Sequence, residues 1–196
     1  VLHTYGSHFN YQERYPRSFA YFKPDSKSEA KPQNRQDLLN AYDNTIRYTD
    51  YILHGIVERL QKWEKVQAKT DGEYCQPTSA MLYTSDHGEN IFDDDRRLFL
   101  HAAPKASDYE LHVPFIIWTS EGFGKQYPGT WKALEENRTK QVQTSLSAFH
   151  TMLGIGGIRT PYRLDEHSVA SGKYHPARLL YLDDHDEAIP QEDAKF

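Results

Sequence analysis

One apolar stripe constrains this chain more than any other feature. Leu38, Tyr42, Ile46, Thr49, Leu53, Ile56, Leu60 and Trp63 recur every three or four residues. That period is one face of an α-helix, so the stripe predicts a helix over about residues 35–67. Such a stripe is ordinarily a core face. Asp43 and Arg47 lie off it and are spaced for an i,i+4 ion pair worth tenths of a kcal/mol. A polar connection, Thr70-Asp71-Gly72-Glu73, leads to the short apolar run Ala80-Met81-Leu82-Tyr83, which reads as a buried strand. Val113 to Trp118 reads as another. Helix followed by strands fits an α/β fold, a layered and mostly parallel sheet flanked by helices. A second helix is expected over residues 140–153. Its apolar face would be Val142, Leu146, Phe149 and Leu153, with Gly154 as the C-terminal cap and His150 on the surface near that end. Pro16, Pro24 and Pro32 exclude a long helix between Gln12 and Asn34, which reads as a loop.

The first strand runs into Thr84-Ser85-Asp86-His87-Gly88-Glu89. In open α/β sheets, ligands bind beyond the carboxyl ends of strands. Asp and His are both zinc ligand types. Gly88 is expected to let the backbone turn without a Cβ clash. The same residues also read as a plain strand-end turn in which Asp86 caps the next segment. Histidines recur in similar settings. Val1 to His8 looks like a strand entering a turn, with His3 on the strand as a core histidine. His101 follows Leu98-Phe99-Leu100 and the acidic loop Asp93-Asp94-Asp95. His112 precedes the second strand.

Bulk properties set limits. A chain of 196 residues suits one domain. A net charge of -5 does not suggest a nucleic-acid partner. No stretch approaches the roughly 20 apolar residues of a membrane-spanning helix. The single cysteine, Cys75, has no internal disulfide partner and reads as a loop thiol. The acidic run Asp183-Asp184-His185-Asp186-Glu187 reads as a solvated face. The chain opens on Val-Leu-His inside a presumed strand, so it is expected to be a piece of a longer protein.

Five segments together, LHTYGSH, residues 42–52, TSDHGE, FLHAAP and HVPFIIW, carry a family resemblance. The chain resembles the C-terminal part of the catalytic domain of bacterial phosphoethanolamine transferases, in the sulfatase-like branch of the alkaline phosphatase superfamily. The resemblance covers roughly residues 1–155. It implies an alkaline-phosphatase-like portion over residues 1–157, with residues 158–196 as a polar extension packed on the same domain. It also implies zinc as the metal, with manganese or calcium as alternatives, held by Asp86 and His87. His8 and His101 match histidines beside the metal and the substrate phosphate, which bind a second metal, donate to a phosphate oxygen or protonate the leaving group. Glu89 would orient a ligand, or remain an exposed turn carboxylate. The implied donor is phosphatidylethanolamine and the implied acceptor an envelope glycan, lipid A or a core sugar. The parent protein would be anchored in the inner membrane by upstream segments, with this domain in the periplasm. The family's threonine nucleophile and a further acidic ligand precede the matched motifs, so this chain alone is expected to be inactive. Phe9-Asn10 stands where close relatives often carry Gly-Pro, which leaves the acceptor open. A sulfatase or phosphoglycerol transferase of the same superfamily, and a non-catalytic domain of this fold, are the alternatives. For a bacterial protein, the sequon Asn137-Arg138-Thr139 is an accidental match.

Overall fold

The computed structural model describes residues 1–70, 76–101, 106–183, 185 and 187–193. Cys75, the turn Asp71-Gly72-Glu73, Ala102 to Pro104, Asp184 and Asp186 lie outside the described residues. The longest element is helix α1, Arg35–Thr70, about 54 Å long at 1.5 Å per residue. Among the described side chains, its buried residues all lie in the first three turns. Leu38 and Ala41 are buried there with Tyr11, Tyr15 and Ile91, and Phe9, Phe19, Tyr42, Phe92 and Phe99 pack around them. The rings meet mostly edge to face, Phe9 on Tyr11 and Phe99 and Tyr11 on Tyr42, the arrangement their quadrupoles favour. Farther along the stripe the expectation fails: Ile46 and Trp63 are about half exposed. The expected Asp43–Arg47 pair does not form either. Arg47 donates to the Phe19 carbonyl and lies over the Phe19 and Tyr21 rings.

Strands β1 (Ala80–Thr84) and β4 (Phe115–Thr119) pair antiparallel, Leu82 opposite Ile117. Between them lie the small antiparallel pair β2 (Asn90–Ile91) and β3 (Phe99–Leu100) and the short helix α2, Asp108–Leu111. Among the described residues every strand pair is antiparallel, so the expected mostly parallel sheet is not seen. The reason lies in the connection. A parallel pair needs a crossover, usually a full helix, and α2 has four residues. The chain therefore returns along β1 in the opposite direction. The opening residues 1–5 form no strand and are exposed, His3 included. Among the described residues no strand lies beside them, and the one backbone bond they make is local, His8 N–H donating to the Tyr5 carbonyl. The proline-rich stretch holds short 3₁₀ turns at Tyr11–Glu13, Arg17–Phe19 and Pro32–Asn34 and no long helix.

Helices α3 (Glu121–Gln126), α4 (Pro128–Asn137) and α5 (Thr144–Ile155) follow β4. Helix α5 starts later than expected and buries a different face. Ser147, His150, Thr151 and Gly154 are inside, and Phe149 is exposed. The partner is the polar segment after Gly157, whose backbone rewards small and hydrogen-bonding groups. Thr151 Oγ1 accepts from Val169 N–H at 3.1 Å, and His150 Nδ1 accepts from Leu164 N–H at 3.2 Å. His150 is thus a buried structural residue rather than a surface one. Gly154 is packed inside the helix against Ser168 and Ala170, and the left-handed glycine beyond the helix end is Gly157. Asn137, the sequon residue, is buried and donates to the Val169 and Ser171 carbonyls. The tail ends in the hairpin β5 (Leu180–Leu182) and β6 (Ala188–Pro190). Asp183 closes its turn by accepting from the His185 and Glu187 N–H groups.

A Cβ on Gly154 would lie 2.7 Å from Ser168 Oγ and 3.1 Å from Ala170 Cβ, whereas one on Gly129 meets nothing. Urea unfolding should show Gly154→Ala destabilised by about 1–3 kcal/mol. Gly129→Ala should be neutral or stabilised by up to about 1 kcal/mol.

Candidate metal centre

Strand β1 ends at Thr84, and the next residues build the site. The Ser85 hydroxyl donates to the His87 carbonyl at 2.8 Å, closing a tight turn. Gly88 N–H donates to the Glu110 carbonyl at 2.7 Å. A Cβ on Gly88 would lie 2.0 Å from the Tyr109 carbonyl oxygen. The glycines with left-handed φ are Gly6 and Gly157, so Gly88 is required by the close approach of α2 and not by a special turn.

His87 Nδ1 lies 2.8 Å from the Gly88 carbonyl. A carbonyl can only accept, so Nδ1 carries the proton and Nε2 presents its lone pair. That Nε2 stands 3.8 Å from Asp86 Oδ2, on an exposed carboxylate. Partial burial pushes the Asp86 carboxyl up, but electrostatic attraction from the neighbouring His87 ring and hydrogen bonds from the backbone and Ser85 outweigh it, and the group sits below the usual carboxylate range. Asp86 is therefore ionised at neutral pH.

Glu89 occupies the opposite environment. Its side chain is 5% exposed. Oε2 accepts from the Tyr11 hydroxyl at 3.2 Å, and Oε1 faces His101 Nδ1 at 3.2 Å. Burial, followed by the charge of Glu89, holds the Tyr11 phenol far above its ordinary value, so it remains a protonated donor. The carboxylate places the His101 proton on Nδ1, and His101 also presents Nε2. The His87 and His101 rings lie 3.7 Å apart between centroids, tilted by 31°. One ligand atom each from His87, Glu89 and His101 fall within 4.8 Å of one another. The vertices of a tetrahedral zinc site lie roughly 3.4 Å apart for bonds of about 2.1 Å. The donor types fit zinc, and the trio is at most about 1.4 Å more open than a closed site.

Packing holds the hairpin that carries His101. Asn90, buried, donates to the Leu100 carbonyl at 2.7 Å and to Glu110 Oε2 at 2.8 Å, and accepts from the Ser107 hydroxyl. Phe92, Arg97 and Leu100 adopt left-handed φ of 56°, 52° and 65°. Non-glycine residues there cost of order 1–3 kcal/mol each and cluster at functional sites. Two carboxylates of the acidic loop are paired, Asp93 with Arg35 of α1 and Asp94 with Arg96.

The candidate residues divide into two groups. Asp86, His87, Glu89 and His101 come together. His8 is exposed, packs on Tyr5, places Nδ1 at the Phe9 carbonyl and makes no described contact with the trio. The connection is its neighbour: Phe9 packs edge-on against Phe99 of β3 at 5.2 Å. His112 is exposed and closes α2. Tyr11 escaped the sequence reading, because nothing local links it to a carboxylate 78 residues away.

The sulfatase family matches residues 1–158. The chain belongs to the sulfatase family. Its fold is the alkaline-phosphatase-like sulfatase fold. It is 32% identical over 184 residues to phosphoethanolamine transferase EptA of Salmonella typhimurium, covering 92% of this chain and 31% of that protein. The chain thus spans about a third of the length of this relative. The integral membrane protein lipooligosaccharide phosphoethanolamine transferase A from Neisseria meningitidis superposes with a TM-score of 0.72 at 29% identity, over 86% of this chain and 30% of that one. The periplasmic domain of EptC from Escherichia coli, solved in complex with zinc, shares the fold at 18% identity and a TM-score of 0.67, over 95% of this chain and 49% of that one.

Two substitutions separate the supports of this family member's centre. Gly88→Ala should destabilise it by about 1–3 kcal/mol or more in denaturant unfolding, since backbone must move. Tyr11→Phe leaves a buried carboxylate short of a donor and should cost about 1–3 kcal/mol, with the fold retained by circular dichroism.

Proposed function

We propose that this chain supplies part of the catalytic domain of a zinc-dependent transferase, which moves phosphoethanolamine from phosphatidylethanolamine to lipid A or a core sugar. The observation that carries the reading is the pair of imidazoles, each with its proton fixed on Nδ1 and its Nε2 free, beside the ionised Asp86. The kinship with phosphoethanolamine transferases supports the chemistry, and the zinc complex of the E. coli domain supports the metal. Asp86 and His87 hold the metal. When bound, zinc neutralises phosphate oxygens and lowers the pKa of a hydroxyl nucleophile.

The chain's own groups do the rest. Both Glu89 oxygens are engaged by Tyr11 and His101, so its part is to position His101 rather than to bind metal. His101, whose ring lies 3.7 Å from that of His87, exchanges a proton with the leaving or entering oxygen through Nε2. His8, exposed on its loop, meets the substrate phosphate. Zinc sites take at least three protein ligands, and Asp86 and His87 are two. The family resemblance implies a further acidic ligand and the threonine nucleophile elsewhere in the protein, and on this reading the chain alone is inactive. The protein works at the periplasmic face of the inner membrane.

Metal analysis of the intact protein tests this. Near-stoichiometric zinc is expected in the wild type. Occupancy should fall about tenfold or more in Asp86→Ala, with turnover of a phosphatidylethanolamine analogue lost in parallel. Calcium in place of zinc, or zinc unchanged by the substitution, would contradict the reading.

A further inference from the structure

We propose that residues 14–31, together with the stretch of α1 that backs them, form a docking surface for an anionic lipid bilayer. The inference extends the transferase reading but rests on its own observations. The first is charge segregation. The whole chain carries -5, yet residues 14–31 hold five basic side chains and two acidic ones, and the backing stretch of α1, residues 35–51, holds two basic and three acidic ones. Both acids of residues 14–31 are already engaged. Asp25 is buried, accepts from the Tyr15 hydroxyl and lies 3.6 Å from Arg17, and Glu29 pairs with Lys31. Lys23 is exposed, and Arg47 has no carboxylate within ion-pair distance among the described residues.

The second observation is a built display of aromatic rings. Tyr21 is 69% exposed, Phe22 40% and Tyr51 58%. Their position is imposed. Asn44 of α1 is fully buried; its Oδ1 accepts from both the Tyr21 and Phe22 N–H groups at 2.9 Å, and its Nδ2 donates to the Phe22 carbonyl at 3.0 Å. Phe19 packs between Tyr48 and Tyr51. A buried amide thus fixes a backbone segment whose two rings point away from the core. Hydrophobic collapse alone would bury such rings.

Amphipathic rings flanked by basic groups are what the membrane–water interface takes up. Rings settle at headgroup level, and Lys and Arg face anionic lipid. Arg47 covers the Phe19 and Tyr21 faces, 5.7 and 5.1 Å from their centroids. A surface of this kind would hold a lipid-modifying centre next to substrates that never leave a bilayer.

Co-sedimentation of the chain with vesicles tests this, using phosphatidylglycerol mixed with phosphatidylcholine against pure phosphatidylcholine. Binding is expected to the anionic vesicles only, weakening as salt rises. Lys23→Ala should weaken it roughly fivefold. Tyr21→Ser/Phe22→Ser should weaken it further, with the helical circular dichroism signal intact. Tyr162→Ser, equally exposed but outside the surface, should bind as wild type. Absence of wild-type binding, indifference to lipid charge, or full binding by the Tyr21/Phe22/Lys23 triple variant would overturn the proposal. Vesicle binding needs neither zinc nor turnover. Failure here leaves the metal reading intact, and a zinc-free protein that still binds vesicles keeps this surface.

Discussion

A buried carboxylate is the constraint around which this molecule is organised. Taking Glu89 out of water is expensive unless its oxygens are engaged. Two partners engage them, the Tyr11 hydroxyl and the His101 ring. Tyr11 is itself fully buried among Tyr15, Leu38, Ala41 and Ile91. One side chain therefore joins three pieces of the fold: the 3₁₀ turn after His8, the turn after β1 and the hairpin carrying His101. The aromatic core is packed directly beneath the site and holds Tyr11 in place to donate. His101 is thereby fixed by the same contacts that keep the core together.

A second constraint is the close approach of two backbones at Gly88. Its N–H bonds the Glu110 carbonyl, and no side chain fits between it and Tyr109. Ser107 caps α2, accepting from Glu110 N–H, and donates to Asn90. The turn after β1, the helix and the hairpin are thus one hydrogen-bonded unit. Three left-handed non-glycine residues in that hairpin are tolerated because the surrounding bonds determine it. The result holds the rings that present two Nε2 atoms through protein groups alone, the Gly88 carbonyl and Glu89, which is the positioning a metal or phosphate site needs.

The parts legible in the sequence were those set by local rules. Apolar period located α1, and short apolar runs located β1 and β4. The SDHGE segment and His101 marked residues that do come together. What failed was set by tertiary contacts. The α1 stripe promised a continuous core face, but its outer half has no buried residue among those described. Helix α5 hides Ser147, His150 and Thr151 because its partner is a polar segment whose Leu164 and Val169 N–H groups donate to His150 and Thr151. Strand direction depends on the connection, and periodicity carries no information about it. Tyr11 and Glu89 could not be paired from sequence, since their link is a hydrogen bond across most of the core.

The central claim is that Glu89 fixes the proton of His101 on Nδ1. Nitrogen-15 spectroscopy of the histidine rings, in the metal-free protein and in Glu89→Gln, tests it most directly. The account predicts a single Nδ1–H form for His101 in the wild type and mixed tautomers in the variant, with His87 unchanged because a backbone carbonyl holds it. An Nε2–H form in the wild type, or no change on substitution, would contradict it.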